Sequence, residues 1–286
     1  MAKLITKSCM PKSGYRQVVP LAKKPLEYLG FGLANLAAGE AWKFDTGPAE
    51  WTIVILSGSV RAFGTEGELA CGPIGVRKNV FSGKAASLYL PPKFKGRIEA
   101  ATAAELAVCQ ALVKNTVCKQ TVAHAVARVI TPDDVKVKTV GVHNWERTVH
   151  DIVDQRTPAA RLLVGETFNK TGCWSSYPPH RHDEDRLPLE ANLEEIYFFQ
   201  TSPPQGFGFQ RIYTDDRSLD EAYAVENGDT VVLPRGYHPV AAAPGYQVYY
   251  LWLMAGTGRV MCPFDDPQHA WIKGLETVLK ETAKGD

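Results

Sequence analysis

Residues 177–199, YPPHRHDEDRLPLEANLEEIYFF, decide most of what can be read from this chain. In an extended backbone, side chains alternate between two faces, so His180 and His182, two apart, aim their imidazoles at one point. In the apolar run that follows, the same alternation sets Glu195, Tyr197 and Phe199 on one face and Glu194, Ile196 and Phe198 on the other. One glutamate must look into the interior, and the strand that follows directly gives Glu195 the more fixed direction.

Some forty residues on, 226–246 reads ENGDTVVLPRGYHPVAAAPGY. A turn at Asn227-Gly228-Asp229, a short strand and a Pro-Arg-Gly bend bring His238 to the start of another strand and supply a third nitrogen. Three imidazoles and one carboxylate make a borderline N/O donor set, which suits a divalent transition metal better than magnesium or calcium. Zinc is the first expectation for this single ion, with manganese, iron and nickel as alternatives. The histidines at His124, His143, His150 and His269 have no partner at ligand spacing and read as exposed or structurally hydrogen-bonded. Cys9, Cys71, Cys109, Cys118, Cys173 and Cys262 form no C-x-x-C pair, so neither a zinc cluster nor a redox motif is expected, only reduced structural thiols.

Beyond these stretches, glycine and proline punctuate short β-branched and aromatic runs: WTIVILSGSV at 51–60, SLYLPP at 87–92, TVVLPRG at 230–236 and YQVYYLWLMAG at 246–256. This is the pattern of an all-β sandwich or barrel. Helical spacing appears only near the end, where HAWIKGLETVLKETAK places Trp271, Leu275 and Val278 on one face of a short helix expected to cap the barrel. Internal similarity points to two copies of one β-fold. Glu50-Trp51 opens a strand 40 residues before Leu90-Pro91, and Glu195-Ile196 opens one 38 residues before Leu233-Pro234. The expected organisation is a lobe over 1–125, a polar connecting segment over 126–155, and a second lobe with the helix over 156–286.

Charge excludes some partners: 32 basic against 31 acidic residues give no field directed at nucleic acid or an anionic membrane. No apolar run approaches the roughly 20 residues needed to span a bilayer, and MAKLITKSCMPKSGYRQ lacks the apolar core of a signal peptide. A cytoplasmic protein with a small-molecule partner is expected.

H-x-H, then Glu, then a later P-x-x-x-H resembles the two metal motifs of the cupins, small double-sheet β-barrels. VGETFNKTGCWSSYPPHRHD (164–183), LEEIYFFQ (193–200), PPQGFGFQRIYTDDRSLDEAY (203–223) and NGDTVVLPRGYHPVAAAPGYQVYYLWLMAG (227–256) are similar to the 5-deoxy-glucuronate isomerase (IolB) family, densely over about 160–256 and more loosely over most of the chain. A more distant likeness to 4-deoxy-L-threo-5-hexosulose-uronate ketol-isomerase supports the same class. The resemblance implies a bicupin of two jelly-roll-like, double-stranded β-helix barrels, with metal ligands falling on His180, His182, Glu195 and His238. The interval from His182 to Glu195 is longer than the cupin norm, which leaves Glu194 and Glu190 as alternative carboxylates. The first lobe has lost the motif: four residues after Pro91 stands Lys95, where His238 stands four after Pro234.

The family's activity, carried over, is isomerisation of the aldose 5-deoxy-D-glucuronate to the ketose 5-dehydro-2-deoxy-D-gluconate in myo-inositol breakdown, metal-assisted and passing through an enediolate. The proton needs a carrier, for which Glu194 and Tyr213 are candidates. The substrate's carboxylate needs a cation, for which Arg211 and Arg235 are nearest in sequence, and Trp252 is a candidate apolar wall. A metal-dependent cupin dioxygenase and a non-catalytic sugar-binding cupin are the competing readings. By analogy of fold a homo-oligomer is expected.

Overall fold

A computed structural model of the chain describes residues 3–7, 10–113 and 126–282, so that Cys9, Cys118 and His124 lie outside the described residues. The β-branched runs form two large antiparallel sheets. One has the order Arg128–Ile130, Ser87–Leu90, Ala49–Ser57, Ala104–Leu112, Leu29–Leu36, Gly14–Val19. The other runs Ile5–Thr6, Thr230–Leu233, Leu193–Ser202, Gln247–Gly256, Leu163–Asn169, Arg147–Val153, Lys136–Val140. A four-stranded sheet faces each, built from 41–100 in the first lobe and 174–242 in the second.

Period two then divides each strand between two cores. From Leu193–Ser202, Tyr197 and Phe199 enter the interior of the second barrel, where they meet Ile212, Val225, Val240 and Trp252. Ile196 and Phe198 point the other way, into a core that also holds Phe31, Leu33, Val54, Leu56, Leu251 and Leu253. The two large sheets are therefore packed back to back. Phe31 and Phe198 meet across the seam with ring centroids 5.5 Å apart.

The register corrects the internal alignment. Trp51 pairs with Leu90 as Glu195 pairs with Leu233, so Glu50 is the counterpart of Glu194, and Trp51 occupies the place of Glu195. In the first barrel that place is filled by rings: Trp51 stacks with Trp42 and Phe44, and Tyr15 and Phe94 extend the stack. Lys95 is exposed beside Asp45 at 3.7 Å.

The lobes also exchange edge strands. Ile5–Thr6, ahead of the first lobe, pairs with Thr230 and Val231 of the second. Arg128–Ile130, ahead of the second, pairs with Ser87–Leu90 of the first. Residues 126–155, expected as a surface connection, are thus built into both sheets, and Lys136–Val140 and Arg147–Val153 are two strands of the second barrel.

The terminal helix, Ile272–Thr282, differs from expectation in its orientation. It buries Ile272, while Trp271 and Val278 are 66% and 55% exposed. Its hold on the barrel includes Glu276, whose Oε2 accepts from the Trp145 indole at 3.4 Å.

Candidate metal centre

His180 lies on the short strand His180–Arg181, tied to Phe264–Asp265. His182 follows it, with the side chain of the intervening Arg181 turned the opposite way, bonded to Glu190 and Asp215 and lying over the rings of Tyr237 and Phe264. Glu190 also accepts from the backbone N–H of Asp183 and from Arg186, so it braces the 183–190 loop and is not a ligand. Asp183 in turn accepts from the Gly236 N–H at 2.7 Å, which joins the H-x-H segment to the bend that carries His238.

These supports bring three imidazoles together. Potential ligand atoms of His180, His182 and His238 all lie within 4.8 Å of one another, and His238 Nε2 is 3.2 Å from Glu195 Oε2. The His238 Nδ1 lies 2.8 Å from the Gly236 carbonyl, to which it donates its proton, leaving the Nε2 lone pair to face inward. His182 Nδ1, His238 Nε2 and Glu195 Oε2 are buried without a hydrogen-bond partner. Buried polar atoms are rarely left so, and a cation among them would satisfy all three. Burial, with the neighbouring imidazoles, lowers His180 well below the ordinary histidine range and His182 to about 3, so both offer neutral nitrogen to a metal. Burial would lower His238 too, but the Glu195 carboxylate beside it raises it. Burial raises Glu195 itself. The residues present fit a divalent ion.

His180, His182 and Glu195 sit in the wall of a cavity of about 210 Å³ that opens to solvent. That is smaller than the roughly 300 Å³ at which drug-sized clefts begin, and suits a monosaccharide. Trp252 lines it as expected, able to lie there because a Cβ at Gly165 would come within 2.2 Å of its ring. Tyr197 and Tyr250 stack at 4.4 Å between centroids. Tyr197 Oη lies 3.2 Å from Ser176 Oγ, and Tyr250 donates to Ser175 at 2.8 Å.

Four expected residues are elsewhere. Glu194 faces away from the ion, and its carboxylate accepts the backbone N–H groups of Glu27, Tyr28 and Leu29 in the other lobe at 2.6–2.7 Å. Tyr213 donates to Asp266 at 2.7 Å, outside the cavity wall. Arg211 is held by both oxygens of Asp220 at 2.8 Å on the exposed face of its strand, because Gln210 takes the inward position. Arg235 is exposed and reaches Ser218. Arg211→Ala should therefore leave KM for an acid substrate within about twofold of wild type in a steady-state assay; a tenfold rise would return it to the site.

Apart from Glu195 and the histidines, the cavity's charged residues come instead from the supposed connection. Arg147, Val149 and Asp151 share the inward face of one strand, and Lys138 lies on the next, bonded to Asp151 at 2.9 and 3.1 Å. The signal was present in RTVHDIV, where positions 147, 149 and 151 repeat with period two.

An imidazole and carboxylate cradle inside the second of two fused jelly-roll barrels defines a metal-binding bicupin. The chain belongs to the KduI/IolB family, whose profile matches residues 4–272. It is 43% identical over 259 residues to the 5-deoxy-glucuronate isomerase of Geobacillus kaustophilus, covering 90% of each, and 38% identical over 256 residues to that of Bacillus subtilis strain 168. Among solved structures it superposes on an IolB-like protein of Salmonella typhimurium LT2 with a TM-score of 0.86 at 37% identity, over 95% of this chain and 100% of that one. Oxalate decarboxylase of Lactobacillus farciminis shares the two-barrel fold at 12% identity, with a TM-score of 0.66 over 96% of this chain and 91% of that one. No helix among the described residues is long and apolar enough to cross a membrane.

Proposed function

We propose that this chain is a 5-deoxy-glucuronate isomerase, converting 5-deoxy-D-glucuronate to 5-dehydro-2-deoxy-D-gluconate in inositol catabolism. The observation that carries the reading is the cluster of His180, His182 and His238 with Glu195, its buried donors unpartnered, at a cavity of monosaccharide size in a chain of this family. A divalent ion held by these four residues would act as a Lewis acid on the substrate's carbonyl and neighbouring hydroxyl oxygens, favouring the enediolate; zinc leads, with manganese, iron and nickel as alternatives.

The chain's own residues supply the rest. Burial holds the Tyr197 phenol well above its ordinary range, so it remains a proton donor near the ligand cluster, with Ser176 Oγ as its neighbour. Apart from Glu195, Asp151 is the carboxylate on the cavity wall among the described residues, and it can accept the C–H proton and return it to the adjacent carbon. Lys138, bonded to it, orients that carboxylate. Trp252, Met254 and Met261 give the wall its apolar part and restrict water around the reacting carbons.

The experiment is an anaerobic incubation of purified protein with 5-deoxy-D-glucuronate, followed by NMR. Ketose should accumulate without oxygen consumption, stop on metal removal by a chelator and resume on readdition of a divalent ion. Full turnover after metal removal, or oxygen uptake coupled to turnover, would overturn the reading.

A further inference from the structure

Arg147 opens the strand Arg147–Val153 and shares its inward face with Val149 and Asp151. Its Nη1 donates to two backbone carbonyls, Trp145 at 3.2 Å and Tyr177 at 3.1 Å. Those bonds fix the plane of the guanidinium and occupy one of its three nitrogens, leaving Nε and Nη2 to form a fork. Among the described residues no carboxylate lies within 4.0 Å of it, whereas the cavity's other cation, Lys138, is taken by Asp151. Burial pulls Arg147 below the ordinary arginine range, and the more distant Glu276 carboxylate offsets this only in part. It shares its cavity with His180 and His182, at one end of the ligand set, and with the apolar wall of Trp252 and Met254.

Resting on the isomerase reading above, we propose that Arg147 grips the substrate's carboxylate, which makes it the residue that selects an acidic sugar over a neutral one. A planar fork meets a carboxylate through two parallel charge-assisted hydrogen bonds. The sugar then lies along the cavity, with its carboxylate at Arg147 and its aldehyde end at the histidines.

The test compares wild type, Arg147→Gln and Arg147→Lys on 5-deoxy-D-glucuronate and on 5-deoxy-D-glucose, in which the carboxylate is replaced by a hydroxymethyl group. Loss of a charge-assisted pair worth about 1.5–3 kcal/mol predicts a KM for the acid raised about 10- to 150-fold in Arg147→Gln, with kcat within about threefold. Arg147→Lys should recover part of the loss, and KM for the neutral sugar should not move. An equal rise in KM for both sugars, or none for either, would overturn the assignment. Should wild type turn over neither sugar, the isomerase reading fails by itself. Calorimetric titration with D-glucuronate then decides on Arg147: at least tenfold weaker binding to Arg147→Gln supports the anchor, and equal affinity removes it.

Discussion

Purified His238→Ala protein should fold, carry less than about a tenth of a metal ion per chain, and show kcat/KM lowered by 10³ or more, a loss of about 4 kcal/mol in transition-state stabilisation. The fold should persist because His238 sits beyond the Tyr213–Tyr237 bridge, on backbone that the large sheet does not need. The site should not persist. His238 is the imidazole whose Nδ1 is tied to the Gly236 carbonyl, and its Nε2 faces Glu195 at 3.2 Å. Without it, Glu195 is a buried carboxylate stripped of its neighbouring imidazole, and burial, which already raises it, disfavours its anionic form further. One substitution thus removes one of four donors and weakens a second. Elemental analysis and the isomerase assay read the two losses separately, and metal retained at about one per chain with activity lost would assign His238 to chemistry instead of ligation.

That donor set was legible in the sequence because its geometry is local. His180 and His182 are two apart, Glu195 is fixed by the strand it opens, and His238 follows a bend written in Pro234, Arg235 and Gly236. Alternation set Glu195 and Glu194 on opposite faces, the strand that follows favoured Glu195, and Glu190 stayed open as an alternative; the structure gives the other two their own tasks on the opposite face and in the bracing loop. The substrate side of the cavity was not legible in this way. Arg147, Asp151 and Lys138 come from strands at the far edge of the sheet, and proximity in sequence favoured Arg211 and Arg235 over them. Which strand lies across a barrel from the histidines is a property of sheet order, and sheet order depends on contacts distant in sequence. The fold class could be read from alternation and turns. The back-to-back packing could not, because the side chains that make it, such as Ile196 and Phe198, are as apolar as those that fill the barrel.

The exchanged arms and the shared core imply that neither lobe is stable alone, and a pair of carboxylates makes this testable. Glu50 accepts the backbone N–H groups of Ala160, Arg161 and Leu162 at 2.5–2.6 Å and the Tyr89 hydroxyl at 2.6 Å. Glu194, its counterpart, accepts those of Glu27, Tyr28 and Leu29. Each lobe therefore extends one buried carboxylate into a loop of the other, and Arg161 lies over the Tyr28 ring, 4.5 Å from its centroid, where the two loops meet. Glu50→Ala would strand three N–H donors and a phenol in a fully buried seam. Each costs about 1–3 kcal/mol when left unpaired, and partial relaxation and water entry should reduce the total to about 4 kcal/mol. Glu194→Ala removes three partners at a slightly more open position and should cost less. Urea unfolding should show, for each variant, one transition shifted to lower denaturant, monitored alike by tryptophans of both lobes, because a seam shared by two sheets cannot come apart in one lobe alone. A loss below about 1 kcal/mol for Glu50→Ala, or two separated transitions in the wild type, would show that the lobes hold themselves up independently and that the crossing carboxylates are incidental to stability.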